Sequence, residues 1–399
     1  MKRRRGLCFA PLMLDPRILA ERRDAIAESC RRRGVAVDVD ALIQLYEREA
    51  AATTRLNDAN RRRNEHQKAG KGKLPPAERE AHVAQGRRLK DEVAALEAER
   101  TAVSAEFREA LAAVPNFIHP DVPEGGEDDF KELRRVGEPR VFDFEPLDHL
   151  ELGKRLDLLD FEGGARVSGQ KFYFLKNDGV LLEMGVQRFA VDVLIDAGFT
   201  PYVTPDLARP EILDGIGYNP RGPETQVYSI ANDELCLIGT AEITLGGLFA
   251  DRVIDEADLP LRLAGVSHCF RTEAGAAGRE SKGLYRVHQF SKVEMFAITR
   301  PEDSEAMHEE ICALQERIFS AFEVPYRVID IAAGDLGGPA YRKYDLEAWM
   351  PGRGAGGSYG EVTSASNCTD YQARRLRIRF RRQGGKRPEL VHTLNGTGV

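Results

Sequence analysis

The sequence predicts an α+β protein of two parts: an N-terminal antiparallel coiled-coil hairpin, then a larger domain with an antiparallel sheet flanked by helices. Three observations carry this reading. Two apolar heptad runs flank a tight Gly/Pro turn, and a linker rich in Pro, Gly and acids follows. Beyond the linker, strand-like segments are separated by long insertions with few β-α-β units, which favours antiparallel pairing. At 399 residues there is room for two or three domains.

The chain opens "MKRRRGLCFAPLMLDPRIL". The apolar stretch Gly6–Leu14 is short, is interrupted by Pro11 and lacks a clear cleavage site, so it does not read as a secretory signal. Met13 is the expected natural start, with residues 1–12 as an extension. Residues 15–33 read as helical. From Ala41 the chain is rich in Ala, Glu, Arg and Leu, and Leu42, Leu45, Ala52, Leu56 and Ala59 keep heptad spacing with Glu49 at the gap. "AGKGKLPP" (69–76) is the turn. In the second run Leu89, Val93, Leu96, Val103, Phe107, Ala110 and Val114 follow steps of four and three, with Arg100 at the gap. The arm, about 41–113, should project roughly 40–55 Å. Folding it about its tip brings Glu49 to Arg100 across the seam.

The net charge of −7 argues mildly against nucleic acid, but residues 55–90 hold eleven Lys/Arg against four Asp/Glu. Arg61, Arg62, Arg63, Lys68, Lys71, Lys73, Arg87, Arg88 and Lys90 gather towards the tip. That pattern fits contact with an RNA backbone, and equally a solvated coiled-coil surface. "VPNFIHPDVPEGGEDD" (114–129) divides the chain into an N-terminal domain, 13–114, and a second domain, 115–399. Six cysteines without a C-x-x-C spacing read as reduced thiols of a cytoplasmic protein. No run of 18 apolar residues suggests a membrane span.

In the second domain "GVLLEMGVQRFAVDVLIDAGF" reads as a helix ending at Gly198, with Leu182, Val186, Phe189, Val193 and Leu194 on its apolar face. "TPYVTPDL" is a short strand. "LRLAGVSHCF", "YRVHQFSKVEMFAIT" and "RRLRIRFRR" look like strands, and 302–323 is an amphipathic helix. In the last of those strands Arg375, Arg377, Arg379 and Arg381 alternate with Leu376, Ile378 and Phe380, a basic face for phosphate or for nearby acids. No G-x-G-x-x-G or G-x-x-x-x-G-K-[ST] supports a Rossmann or P-loop fold.

Chemistry concentrates in "CFRTEAGAAGRESKGLYRVHQFSKVEMF" (269–296), read as strand, long loop, strand. Arg271, Arg279, Lys282, Arg286 and Lys292 are cations, Glu273 and Glu294 carboxylates, and Phe290 an aromatic face. Arginine forks suit phosphate oxygens. By spacing alone, a charged surface hairpin is the plainer reading. His268 and His288 read as packing or hydrogen-bonding residues of strands, and the cysteines as core.

These residues resemble a known family. "FRTEAGAAGRESKGLYRVHQFSKVE" is similar to motif 2 of the seryl-tRNA synthetases, a class II aminoacyl-tRNA synthetase family, and "LIGTAEITL" (237–245) resembles their T-x-E serine-binding loop. "GFTPYVTPDL" resembles motif 1, "YDLEAWMP" and "YGEVTSASNCTDYQARRLRIRF" the segment before motif 3, and "MLDPRIL" the usual N-terminus. The resemblance spans 13–399, with several long motifs in order.

It implies a homodimeric, cytoplasmic class II ligase, with no membrane partner, that activates L-serine with ATP and Mg²⁺. The product seryl-adenylate is passed to tRNA(Ser), and tRNA(Sec) is a further acceptor. Arg271 would bind the α-phosphate and the serine carboxylate. Glu273 and the Val287 backbone would hold adenine, Phe290 would stack on it, and Arg286 would take the γ-phosphate. Thr272, Val362 and Thr363 fall among the ATP-binding positions. Glu361 and Ser364 fall on the Mg²⁺ positions; Thr240, Glu242, Glu294 and Thr397 fall on serine-binding ones. Arg271, Glu294 and Arg286 would carry catalysis, and the arm would meet the long variable arm of the tRNA.

"LNGTGV" begins motif 3, where the family continues into an apolar run, an arginine six positions after Thr397, and a helix. The expectation is a chain cut within motif 3, with impaired activity. Two other readings stand beside it: a non-enzymatic relative that keeps RNA or dimer contacts, and an amino acid:carrier-protein ligase. The arm and the lack of an evident Cys/His zinc set argue against the latter.

Overall fold

The computed structural model describes residues 14–70, 75–218, 226–273, 282–354 and 356–399. The chain divides after Phe117 into two compact units.

In the N-terminal unit, a short helix α1 (Arg23–Arg32) precedes α2 (Val39–Ala69) and α3 (Pro76–Ala112). The Asp38 side chain caps α2 by accepting from the Ala41 N–H at 2.9 Å, and a proline stands in the first turn of α3. At 1.5 Å per residue the 31- and 37-residue helices are roughly 46 and 55 Å long. Every predicted heptad position is buried or half-buried. Near the base, Leu42, Phe107, Leu111 and Val114 join Leu19 and Ile26 in one cluster; further along, Leu56, Ala59 and Val93 form a second.

The predicted Glu49–Arg100 contact is corrected. Glu49 accepts from Ser104 Oγ at 2.6 Å, about one helical turn from Arg100, which is exposed. The register is marked by Arg55–Glu99 at 2.6 Å and Arg62–Glu92 at 2.5 Å. These pairs shift α3 along α2 by about one helical turn from the register that would set Glu49 against Arg100.

The second unit is built on an eight-stranded sheet. Its strands are β1 (Lys131–Val136), β2 (Thr200–Val203), β3 (Leu261–Phe270), β4 (Gln289–Thr299), β5 (Tyr326–Asp330), β6 (Arg342–Met350), β7 (Ser358–Asn367) and β8 (His392–Thr397). Their order is β1-β5-β6-β7-β8-β4-β3-β2. All neighbours are antiparallel except β2 beside β3. β8 is the one strand that joins the β1-β5-β6-β7 half to the β4-β3-β2 half.

Four helices position the site: α4 (Asp178–Asp196), α5 (Ala241–Leu248), α6 (Ser304–Ala321) and α7 (Tyr371–Leu376). Strand alternation sorts the core. In β4, Val293, Met295 and Ala297 pack with Val193 and Leu194 of α4 and Ile311 and Ile318 of α6. Phe296 and Ile298 pack on the opposite face with Ile243 and Leu245 of α5. Glu294 shares the parity of Phe296, so it faces the α5 side.

Two segments depart from their predictions. On α4, Ala190, Val193 and Leu194 are buried, but Leu182 is 64% exposed and Phe189 37%, together with Leu181 and Met184. "RRLRIRFRR" is not one strand. α7 ends at Leu376, Arg377 takes a left-handed φ of 57° that turns the chain, and Arg379–Arg381 pairs parallel to Val253–Asp255. Leu376, Ile378 and Phe380 are still buried. Arg375, placed in the helix, is buried over the Tyr371 ring at 3.6 Å, and Arg377 pairs with Asp251.

Candidate active site

A cavity of about 560 Å³ opens over the α5-side face of β4, β6, β7 and β8. Ten of the predicted site residues line it: Thr240, Glu242, Arg271, Phe290, Glu294, Glu361, Val362, Thr363, Ser364 and Thr397. They come from five separate stretches of chain, and the sheet brings them together.

Thr240 is the N-cap of α5, its hydroxyl accepting from the Glu242 N–H at 3.3 Å. This places Glu242 in the first turn, aimed into the cavity. Its carboxylate accepts from Gln372 Nε2 at 2.6 Å, and Gln372 in turn accepts from Thr393 Oγ1 at 2.7 Å. Burial, then repulsion from Glu294, pushes the Glu242 carboxyl up to about 7. Glu294 pairs with Lys292 at 2.5 Å, and Thr397 Oγ1 donates to it at 3.4 Å. Both members of the Lys292–Glu294 pair are buried, and such charges persist only when partnered.

Arg271 follows β3. Its Nε donates to the Gly239 carbonyl at 3.3 Å, and its guanidinium lies 5.2 Å from the Phe290 ring centroid. The backbone N–H of Arg271 bonds the His288 carbonyl at 3.0 Å, and His288 Nδ1 lies 2.9 Å from the Arg271 carbonyl. His268 lies 2.9 Å from Asp206. Both histidines therefore have the hydrogen-bonding role read for them.

Glu361 and Ser364 are three apart, which in a regular strand puts them on opposite faces. The β6–β7 register shifts between Leu346, opposite Thr363, and Glu347, opposite Glu361, leaving Val362 as a bulge. The bulge restores the parity, so both oxygen-bearing side chains line the cavity. Two oxygen donors are what a hard cation takes from protein when phosphates complete its shell.

Thr272, Glu273, Arg286 and Val287 are not part of the cavity lining. They flank it: Glu273 pairs with Arg286 at 3.1 Å, the Thr272 N–H bonds the Gln226 carbonyl at 3.0 Å, and Val287 is buried. Sequence reasoning missed Lys343, Asn395 and Tyr218, all in the lining, and took Lys292 only as a cation. Lys343 pairs with Asp345 at 3.0 Å. Burial raises the Asp345 carboxyl while the ammonium opposes it. A signal was present: "SKVEM" and "RKYDL" each carry Lys and acid two apart, hence on one strand face.

In the arm, Arg61, Arg62, Lys68, Arg87, Arg88 and Lys90 are exposed and Arg63 is half-buried. Arg61 pairs with Asp58 at 3.1 Å and Arg62 with Glu92. Lys71 and Lys73 lie outside the described residues.

Residues 226–399 match the model of the tRNA synthetase class II core domain (G, H, P, S and T), and residues 13–118 match the seryl-tRNA synthetase N-terminal domain. The chain belongs to the seryl-tRNA synthetase family. It is 55% identical over 388 residues to a serine-tRNA ligase of Rhodopirellula baltica, covering 97% of this chain and 91% of that one. Among solved structures it is similar to the seryl-tRNA synthetase of Pyrococcus horikoshii complexed with ATP, at a TM-score of 0.85 and 37% identity over 97% of this chain and 91% of that one. The cytoplasmic enzyme of Naegleria fowleri in complex with AMP gives a TM-score of 0.80 and 32% identity over 98% and 91%.

Proposed function

We propose that this chain joins L-serine to ATP, forming seryl-adenylate and pyrophosphate, and passes the seryl group to tRNA(Ser). The observation that carries the reading is the convergence of Arg271 with Thr240, Glu242, Glu294 and Thr397 in one cavity.

The serine carboxylate attacks the α-phosphorus directly, so no side chain serves as a nucleophile. Arg271 draws the two anionic reactants together and offsets the charge that grows on phosphorus. Phe290 offers a face to the adenine, with Glu273 and the Val287 backbone at its edge and Arg286 towards the γ-phosphate. Glu242 and Glu294 receive the serine ammonium and hydroxyl. Alanine would leave their buried acceptors unpaired, which supports strong discrimination. Glu361 and Ser364 would hold Mg²⁺, which supplies charge neutralisation at the phosphates.

The tip of the arm would meet the tRNA backbone through Arg61, Arg62, Arg63, Lys68, Arg87, Arg88 and Lys90. The exposed apolar face of α4, continued by Val203 at 88% exposure, fits a second copy of the chain. Work in the cytoplasm agrees with the cysteines among the described residues, all five of them buried and free. Among the described residues no helix is long and apolar enough to cross a membrane.

The test is ATP–pyrophosphate exchange with serine, alanine and threonine. Exchange driven by serine alone supports the reading. No exchange with serine, while tRNA still binds, would move it to a non-enzymatic relative.

A further inference from the structure

The β7–β8 ladder pairs Asn367 with Leu394, Ser366 with Asn395 and Ala365 with Gly396, and then stops. Ser364 and Thr397 are the first residues past its end. Both line the cavity with Glu361 and Glu294, and in the reading proposed above Ser364 falls on the ATP side and Thr397 on the serine side. Their carbonyls are joined by a third element. Gln315, fully buried on α6 behind the sheet, donates from Nε2 to the Ser364 oxygen at 2.7 Å and to the Thr397 oxygen at 2.9 Å.

Both partners are acceptors, so only the amide nitrogen can serve them, one hydrogen to each. The arrangement leaves Gln315 Oε1 buried without a partner among the described residues. The two bonds to the carbonyls fix this orientation, since the flipped amide would set its oxygen against both of them. The same helix reaches the two strands twice more: His308 Nε2 donates to the Ala365 carbonyl at 2.9 Å, and Ser304 Oγ lies 2.9 Å from His392 Nδ1. The approach of α6 is close because residue 396 is glycine. A Cβ there would stand 2.4 Å from Ile311 Cγ2 and 3.3 Å from Gln315 Nε2.

We infer that Gln315 is a positioning residue that fixes the spacing of the ATP-side and serine-side halves, so that occupancy of one favours the other. The inference rests on the reading of the site given above. Gln315 touches neither reactant. It acts through two backbone carbonyls, and its loss lets β7 and β8 separate where the ladder no longer holds them.

Calorimetry tests this on the full chain. Serine binding is measured with and without a non-hydrolysable ATP analogue, for the unaltered chain, Gln315→Met and Gly396→Ala. Gln315→Met keeps the volume and removes both donors. The expected result is that the analogue tightens serine binding about fivefold or more in the unaltered chain, and about onefold in both variants. Each ligand alone should bind the variants as before, and a merely structural role would not produce that split. Retention of the full nucleotide effect in Gln315→Met overturns the inference, as does its absence from the unaltered chain. So does failure of both variants to fold, which would make the bridge purely structural. A chain that binds neither ligand overturns the reading of the site too, whereas one that binds both without coupling overturns this inference alone.

Discussion

At the scale of the residue, Arg271 is the group whose removal should cost most. Gly239 and Phe290 hold its guanidinium in place. Replacing it with alanine should lower serine-dependent exchange about a hundredfold or more, judged by the loss of other charge-stabilising donors. Steady-state exchange rates check this. Glu242 carries a pH signature. Its carboxyl is raised from the ordinary 4.5 to about 7 by burial and by Glu294. The protonated form is therefore favoured by folding. Its contribution to stability is complete below the unfolded value and is lost as pH rises through about 7. The melting temperature of the unliganded chain, relative to Glu242→Gln, should fall between pH 5 and 8. The serine KM should fall over the same rise, because the ammonium prefers the ionised carboxylate. A flat melting difference would mean that Glu242 is ionised throughout.

At the scale of the element, most of the arm was legible, because heptad spacing reports directly which side of a helix is buried. Its register was not. The turn between α2 and α3 carries no periodic pattern, so a one-turn slip kept every apolar position at the seam and misplaced only the Glu49–Arg100 pair. Alternation made β2, β3 and β4 legible, but β6, β7 and β8 were not read as strands, because the Gly, Asn and Thr of 392–399 look like loop chemistry; there only the motif resemblance pointed to the site. The bulge at Val362 was invisible, since it depends on pairing with β6 and not on local sequence. The run 374–382 misled because helix and strand both bury Leu376, and the left-handed turn at Arg377 decides between them. The arm yields a prediction of its own. Replacing Arg87 and Arg88 with alanine should weaken tRNA binding and lower the slope of log affinity against log salt by about one per lost phosphate contact. Filter binding across salt concentrations reads this. An unchanged slope would make the two arginines ordinary solvated surface.

At the scale of the whole molecule, the α4 face is the proposed contact with a second copy. Leu181, Leu182 and Met184 are each more than 60% exposed, which a monomer has no reason to display together. Leu182→Lys should halve the mass measured by light scattering, with the catalytic unit still folded. A mass unchanged from the unaltered chain would place the contact elsewhere. The position of β8 has a consequence for synthesis. Residues 131–367 supply one half-sheet ending at β7 and another ending at β4, and each presents an open edge. β8, at 392–397, fills the slot between them and is translated last of the eight strands. While the ribosome works through the intervening residues, the nascent chain holds two unfinished sheets with sticky margins. The arm is complete by then and, as a local hairpin, can fold first. Chaperone dependence of this protein should therefore fall in the window between the emergence of β7 and that of β8.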